Sequence, residues 1–451
     1  MRYWTRGFVG EAVGVTLPEG RDFTSISTDT RTLQPGALFV ALSGDRFDGH
    51  EHLEDACARG AAAAIVRRGT PAVAGLPLVE VGNPLAGYGA LAHARRKEIA
   101  GPVVAVTGTN GKTSTKEMLR AVLATRFQVH ATHANLNNLV GVPHTILSAP
   151  AETEALVVEA GANLPGEVAR YREIIAPDIA VITNAGAGHL EGFGSLEGVL
   201  QEKLALARDV PLAIVGTDPP ALADGARHLA RRVLTAGISA AERKARDLTL
   251  DQQGRASFMA GNEAVHLSYP GRHLAANAML AWAVAEELGL DLHAAARALG
   301  AVELPPGRTE LTQLGLMTVL NDCYNANPQS FASAIATAKA MRAGRRLVFV
   351  AGTMRELGDE SAALHAEVAE QLIALKPDLL AAVGAFVAPL EARREALAGE
   401  LLTAADPPAL GPVLARHLAG DELVVLKASR GVALERILPL LRDRALPAAE
   451  A

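Results

Sequence analysis

Short apolar runs that pass at once into polar or glycine-containing turns recur along this chain, and that pattern restricts it to the strand-turn-helix units of an α/β fold. VVAV (103–106) runs into TGTNGKT, ALVV (155–158) into EAGAN, and IAVIT (179–183) into NAGAGHLEGFG. Ligands of an open parallel sheet gather beyond the carboxyl ends of its strands, so these three turns are expected to converge on one crevice. After the linker-like LPPGRTE (304–310) the theme resumes, with LMTVL before NDCYNANP, LVFVAG before TMRELGD, then LLAAVG, and ELVVL before KASRG. This second series predicts a doubly wound domain that ends near the C-terminus.

A chain of 451 residues is too long for one ordinary core, and such a length allows roughly two to four domains. Three are expected, at 1–83, 84–306 and 307–451. The first carries short segments punctuated by Gly and Pro, and 85–98 (LAGYGALAHARRKE) has helical spacing and a basic end, as a connector into the second would. Apolar residues at 49% and charged ones at 20% exclude a disordered or fibrous chain. The net charge of −6, with only short basic runs such as Arg95-Arg96-Lys97, argues against nucleic acid or an acidic membrane surface as the main partner. Two distant cysteines, Cys57 and Cys323, indicate neither a disulfide framework nor a cysteine zinc site and suit a reducing cytoplasm. The N-terminal MRYWTRGFVGEAVGVTLPEG has no continuous apolar core, and no run approaches the ~18 apolar residues of a bilayer span. A cytoplasmic protein without membrane insertion is the expectation.

The segment VTGTNGKTSTKEM (106–118) departs from the usual P-loop, because the glycine expected five residues before Gly111 is Val106. The chemistry needs only several backbone N–H groups and a helix N-terminus facing one anion, with a cation nearby. Gly108 and Gly111 let the backbone bend closely, Lys112 supplies charge, and Thr113 places a hydroxyl where Mg²⁺ would sit. The plain alternative is a capped helix with an exposed lysine in its first turn, a poor place for a cation beside the positive end of the helix dipole.

Other residues carry chemistry only in combination. Glu159 follows ALVV and so stands at a strand end, where a carboxylate can hold Mg²⁺ or simply face solvent. His189, in NAGAGHLEGFG, again follows a strand, and a lone histidine is more often a hydrogen-bonding residue than a ligand. Lys203, in GVLQEKLALA, reads in isolation as a solvated helix lysine. SYPGRHLAANAMLAWAVAEELG (268–289) looks like a loop entering a helix, and the turn-forming compositions of Thr28-Asp29-Thr30-Arg31, Asp48-Gly49-His50 and Asn327-Pro328 are unremarkable alone.

Taken together, GTNGKT, E-x-G-x-N at 159–163, N-x-x-x-x-H-L-E at 184–191 and the later segments resemble the Mur ligase family, which uses ATP to join amino acids to the peptide of bacterial cell-wall precursors. The resemblance covers almost the whole chain. It implies a small N-terminal α/β domain for a UDP-sugar, a central P-loop ATPase-like domain with a mostly parallel sheet, and a C-terminal Rossmann-like domain for the incoming amino compound. It further implies that ATP is bound by Gly108, Thr109, Asn110, Gly111, Lys112, Thr113 and Ser114 with His273, Asn277, Arg308 and Asp322, and that two Mg²⁺ ions are held by Thr113, Glu159, His189 and a carbamylated Lys203. Catalytic roles fall on Lys112, His189 and Lys203. A carbamate converts a cation into a carboxylate-like anion and needs a neutral amine, which burial favours. Thr28, Asp29, Thr30, Arg31, Gly49, His50, Asn135, Asn137 and Asn138 are similar to the family's UDP-sugar contacts.

YNANP (324–328) is similar to the members that add D-alanyl-D-alanine to UDP-N-acetylmuramoyl-tripeptide, so Tyr324, Asn325, Asn327 and Pro328 are expected to hold the dipeptide. The chain lacks the D-N-P-R segment that marks diaminopimelate addition. It departs from the family at Ala134, where glycine is usual, at Leu274 for asparagine, at Asn321-Asp322-Cys323 for two aspartates and a serine, and at Gly352-Thr353-Met354 for G-D-M. The implied enzyme is an ADP-forming amide ligase, expected as a monomer. Its rivals are a related ligase that adds another amino acid or extends folate, and an ATP-dependent switch. A dinucleotide oxidoreductase is disfavoured because no GxGxxG follows a strand.

Overall fold

The computed structural model describes residues 4–17, 19–44 and 47–446. The N-terminal stretch, the segment SGDRFDGHEH and the end of the last expected domain therefore lie outside the described residues at 1–3 and 18, at 45–46, and at 447–451. The chain divides into two compact units, Met1–Ala105 with Phe127–Ala162 and Gly166–Ile179, and Val106–Arg126 with Asn163–Pro165 and Ala180–Ala451. Among the described residues no helix is long and apolar enough to cross a membrane.

In the first unit four parallel strands lie in the order Ile26–Ser27, Leu38–Val40, Ala63–Arg67 and Leu78–Val81. Successive residues of a strand point to opposite faces. Leu38, Val40 and Ile65 accordingly pack with Tyr88 and Leu91 of helix Pro84–Lys97, while Phe39, Ala64 and Val66 pack with Leu53 and Ala56 on the other face. The expected connector helix starts because Asn83 accepts hydrogen bonds from the backbone N–H groups of Leu85 and Ala86, and Pro84 occupies a position where no N–H is needed.

The basic end of that helix turns inward. Arg95, 2% exposed, donates to Ala149 O (3.3 Å) and Pro150 O (3.2 Å). Arg96 donates to Ile175 O (3.0 Å), Ala176 O (2.9 Å) and Asp178 Oδ2 (2.8 Å). Helices Gly141–Leu147 and Glu167–Ile175 pack against this helix, and their last carbonyls lack intrahelical donors and form the negative end of each dipole. The guanidinium groups supply both donors and charge.

The second unit holds parallel strands in the order Arg243–Lys244, Val233–Gly237 and Leu212–Val215, followed by the ends of Ile179–Ile182 and Val103–Thr107. Their near-continuous apolar runs match burial on both faces. Helix Arg272–Glu287 is buried on nearly every side and packs on Lys112–Leu123, which its alanines permit by close approach. SYPGRHLAANAMLAWAVAEELG (268–289) was expected to be a loop entering a helix, and the helix is there, but Ser268–Pro270 end a strand: an antiparallel sheet of Arg246–Leu250, Arg255–Ala260 and Glu263–Pro270 precedes the helix, and only Gly271, at φ 121°, separates strand from helix. Alternating burial along Arg255–Ala260 shows a half-covered sheet with few apolar residues in a row, which is why the apolar-run criterion passed over it.

The C-terminal sheet runs in the order Glu310–Leu314, Met317–Asp322, Leu423–Lys427, Leu347–Ala351, Leu379–Val383 and Glu400–Ala404, parallel except for its first strand. The chain leaves Met317–Asp322, skips one place to Leu347–Ala351, and later returns to fill the gap with Leu423–Lys427. That reversal creates a crevice beyond the ends of these three strands. Replacement of Arg96 by Met should leave the two helix-end carbonyls of Ile175 and Ala176 without partners. It is expected to lower stability on the order of 2 kcal/mol in urea unfolding without changing the m-value.

Candidate active site

The loop from Val103–Thr107 into helix Lys112–Leu123 is held by the residues that follow the neighbouring strand. Asn184 accepts from Asn110 N through its side-chain oxygen (2.9 Å) and donates its side-chain N–H to Asn110 O (3.1 Å). Its backbone oxygen takes the Thr109 amide (3.0 Å), and Thr183 Oγ1 also donates to Asn110 O (2.6 Å). Thr109 Oγ1 accepts from Gly186 N (2.9 Å). The Thr109 and Asn110 amides are thus committed to the protein, and the anion cradle starts at Gly111 and the first turn of the helix, whose amides lack intrahelical carbonyls. Gly111 sits at φ 79°, and a Cβ there would stand 2.6 Å from Asn277 Oδ1, so glycine is required on both counts. Lys112 folds back to donate to Gly108 O (2.8 Å) and Thr109 O (3.0 Å), which offsets a cation at the positive end of a helix. Thr113 and Ser114 are buried beside it.

His189 takes a left-handed conformation (φ 56°) and precedes the short helix Leu190–Phe193. Its Nδ1 lies 2.6 Å from Oε2 of Glu356, a residue that the sequence reading did not single out. The separation is that of a close ion pair, while the ring N–H direction falls outside good hydrogen-bond alignment. His189 holds the Glu356 carboxyl below its usual range, with Lys112 and Arg355 adding to the effect against partial burial. Lys203 is buried, its Nζ 5.0 Å from the centre of the Phe193 ring.

At the C-terminal crevice, Asp322 accepts from Thr309 N (3.1 Å) and pairs with buried Lys427 (2.6 Å), which also donates to Asn325 O (2.7 Å). Arg308 stacks on Tyr324, its Cζ 3.8 Å from the ring centre. His273 is half-buried with its Nδ1 atom buried and lacking a partner, and desolvation pushes its pKa down. Asn327 caps helix Pro328–Met341 in a capping box with Ser330. Its side chain also forms a reciprocal amide pair with Asn110, at 2.8 and 3.2 Å. Gln329 accepts from Asn110 Nδ2 (3.3 Å) and donates to Asp218 (3.1 Å). The structure therefore brings the YNANP segment directly to the phosphate loop. Thr353, where the family usually has aspartate, accepts from Ala385 N (3.0 Å).

In the first unit Glu159 is 2% exposed, with Oε1 accepting from Asn137 Nδ2 (2.8 Å) and Oε2 without a donor. Asn138 accepts from Val140 N and Gly141 N and starts helix Gly141–Leu147. Ala134 adopts φ 49°, the conformation for which glycine is usual, and Asn135 O accepts from Asn137 N (2.8 Å). Thr28 is half-buried beside the next turn, where Asp29 caps Thr30–Thr32 and pairs with exposed Arg31. His50 pairs through Nδ1 with Asp48 (2.5 Å) and accepts at Nε2 from Arg67 N (3.0 Å), beside buried Gly49. Among the described residues no three His, Cys, Asp or Glu side chains form a metal-holding cluster. The orphaned, buried Glu159 oxygen suits a cation that takes one carboxylate, hydroxyls and substrate phosphates, as Mg²⁺ does.

Sequence reasoning passed over Asn184, Glu356, Gln329, Asp218 and Lys427 as contributors. Asn184 stands two residues past a buried strand and Lys427 is the last residue of another, a signal that could have found them. Glu356 lies five residues beyond its strand and carries no such mark.

A shortened phosphate loop clamped at the end of a parallel strand and abutting a second nucleotide-type sheet defines an ATP- or GTP-using α/β protein of the phosphate-loop class. The chain belongs to the Mur ligase family: models described as Mur ligase family catalytic domain, middle domain and glutamate ligase domain match residues 22–139, 106–285 and 307–430. It is 33% identical to the UDP-N-acetylmuramoyl-tripeptide–D-alanyl-D-alanine ligase of Bacillus subtilis over 92% of either chain. It is 35% identical to the protein of that name from Escherichia coli, over 94% of this chain and 95% of the other. A crystal structure of MurF from Acinetobacter baumannii covers 98% of this chain and 99% of its own with a TM-score of 0.89 at 29% identity. MurF from Thermotoga maritima in complex with ADP covers 93% and 97% with a TM-score of 0.83 at 29% identity.

Two expected outcomes follow from this geometry. Asn184→Ala strips both side-chain bonds from Asn110 and should weaken ADP binding roughly tenfold by calorimetry, about 1.4 kcal/mol, as the loop loses its preset form. Buried His365 accepts from Met354 N at Nε2 (3.0 Å) and donates from Nδ1 to Ser361 O (2.7 Å), and burial lowers its pKa from the ordinary 6.5. Its contribution is complete above that ordinary value and is lost as pH falls toward the lowered one, because the unfolded chain takes up the proton first. Urea unfolding between pH 7 and 5 should show stability falling with acidity, and His365→Gln should flatten the slope by up to about 1.4 kcal/mol per pH unit.

Proposed function

We propose that this protein joins D-alanyl-D-alanine to UDP-N-acetylmuramoyl-tripeptide, with conversion of ATP to ADP and phosphate, in peptidoglycan precursor synthesis. The observation that carries this reading is near full-length similarity to relatives of that name, in a chain whose YNANP segment is hydrogen-bonded to its phosphate loop. A carboxylate and an amine do not condense in water at neutral pH, so the carboxylate must first be activated. The terminal carboxylate oxygen of the tripeptide attacks the γ-phosphorus and ADP leaves, giving an acyl phosphate. The amine of the dipeptide, after losing a proton, attacks the acyl carbon and phosphate departs with the bonding pair.

In this reading the amides from Gly111 onward and Lys112 hold the phosphates. Lys112 would exchange its bonds to the Gly108 and Thr109 carbonyls for phosphate oxygens. Thr113, Glu159, His189 and carbamylated Lys203 would hold Mg²⁺, which when bound offsets the charge of the phosphoryl oxygens. His273, with Asn277, Arg308 and Asp322, would receive the nucleoside side of ATP. Tyr324, Asn325, Asn327 and Pro328 would receive the dipeptide, and Thr28 to Arg31, Gly49, His50 and Asn135, Asn137 and Asn138 the UDP-sugar. The corresponding domains are 1–83, 84–306 and 307–451; the match that begins at 307 supports the last boundary, and the match over 106–285 falls within the central domain. A monomer acting in the cytoplasm completes the proposal.

Phosphate release by the purified protein with ATP and Mg²⁺ tests it against a panel of UDP-muramyl peptides and amino compounds. Release should require both the tripeptide and D-alanyl-D-alanine, and indifference to either partner would overturn the assignment. Lys112→Ala should lower turnover on the order of 10²-fold or more, as loss of a preorganised charge stabiliser does.

A further inference from the structure

The contact between His189 and Glu356 joins two turns that are each held in an unfavourable conformation. His189 and Glu356 both have left-handed backbones, at φ 56° and 65°, which side-chain-bearing residues seldom adopt. Such conformations persist where surrounding structure enforces them, and they cluster at functional sites. The enforcement here is specific. Glu191 N donates to Glu356 O (3.2 Å), and Gly358, at φ 57°, lies so close to Glu191 that a Cβ would stand 3.3 Å from its Cα. On the far side, Arg355 N donates to Ser429 Oγ (2.9 Å) and Met354 N to His365 Nε2 (3.0 Å), which anchors the segment to the C-terminal sheet. The Glu356 side chain is 52% exposed, so packing does not account for its placement. Its charge is oriented toward one side chain, His189, with the phosphate-loop lysine near enough to be felt.

We propose that Glu356 is a positioning residue for His189: the negative charge of its carboxylate, 2.6 Å from Nδ1, favours the tautomer with the proton on Nδ1 and leaves the Nε2 lone pair for a cation. This rests on the reading of His189 as a Mg²⁺ ligand. A histidine ligand commonly presents its second ring nitrogen to a carboxylate, which fixes both tautomer and ring orientation. Because Glu356 is carried by the C-terminal sheet and His189 by the turn after Ile179–Ile182, the imidazole is set only when these two parts of the unit are docked. Activation of the carboxylate would thereby wait for the docked state, which limits loss of ATP to water.

The test uses the full-length protein and the variants Glu356→Ala, Glu356→Gln and His189→Gln. Nitrogen-15 spectra of labelled histidine at pH 8 without metal, with the His189 signals identified by their loss in His189→Gln, should show the Nδ1–H form in the parent. Glu356→Ala should move His189 toward the Nε2–H form, and Glu356→Gln, which keeps size and an accepting oxygen, should stay nearer the parent. Mn²⁺ affinity, read by electron paramagnetic resonance with a nonhydrolysable ATP analogue, should fall about tenfold in Glu356→Ala, and kcat should fall with little change in KM. An unchanged His189 tautomer in Glu356→Ala would overturn the proposal. Unchanged Mn²⁺ affinity in His189→Gln would instead remove His189 from the metal site, and the tautomer measurement would still decide whether Glu356 sets the ring.

Discussion

The side chain of Asn184 accepts from the amide of Asn110 and donates to its carbonyl, and the phosphate loop depends on that pair of bonds. A carboxamide does both without charge and from two separate atoms, spaced to meet an N–H and a C=O of one residue. With Thr183 and the Asn184 carbonyl, it fastens the loop to the adjacent strand end rather than letting the loop wrap itself around an anion. A shorter loop can keep its form this way. The amides of Thr109 and Asn110 are satisfied by protein, which leaves the helix end, where the dipole favours negative charge, as the part of the loop suited to an anion.

From Asn110 the same kind of uncharged bonding continues outward to Asn327 and Gln329, and the run ends at the carboxylate of Asp218. Charged contacts occur at the margins of this network, between Lys427 and Asp322 and between His189 and Glu356. The division suits chemistry in which phosphate carries the charge. Amides hold geometry without adding to the field, while the Lys427–Asp322 ion pair stays at the margin. Two of the family's usual carboxylates, replaced here by Asn321 and Thr353, are taken up instead by structural bonds, to Glu310 and to the Ala385 amide.

The elements themselves were written plainly in the chain. VVAV, ALVV, IAVIT, LVFVAG and LLAAVG each form strands buried on both faces, because an uninterrupted apolar run fits only the interior of a parallel sheet covered by helices. Gly111 was equally legible, since a tight turn into a helix beside a ligand needs both φ above zero and an absent side chain. Residues just past those strands, His189 among them, could be proposed as a site because strand ends are where such sheets bind.

Partnership between distant residues was decided only by tertiary structure. Arg95 and Arg96 have the composition of a solvated basic run, yet Arg96 closes the end of helix Glu167–Ile175 and Arg95 holds the turn that follows helix Gly141–Leu147, both far along the chain. Glu356 and Gln329 have no local feature that distinguishes them from surface residues, and acquire roles only from the His189 turn and the phosphate loop that fold against them. Apolar periodicity reports whether a residue is buried, which is a property of its own segment. A hydrogen bond or ion pair needs two atoms within about 3 Å in the right orientation, and that condition exists only once the whole chain has folded.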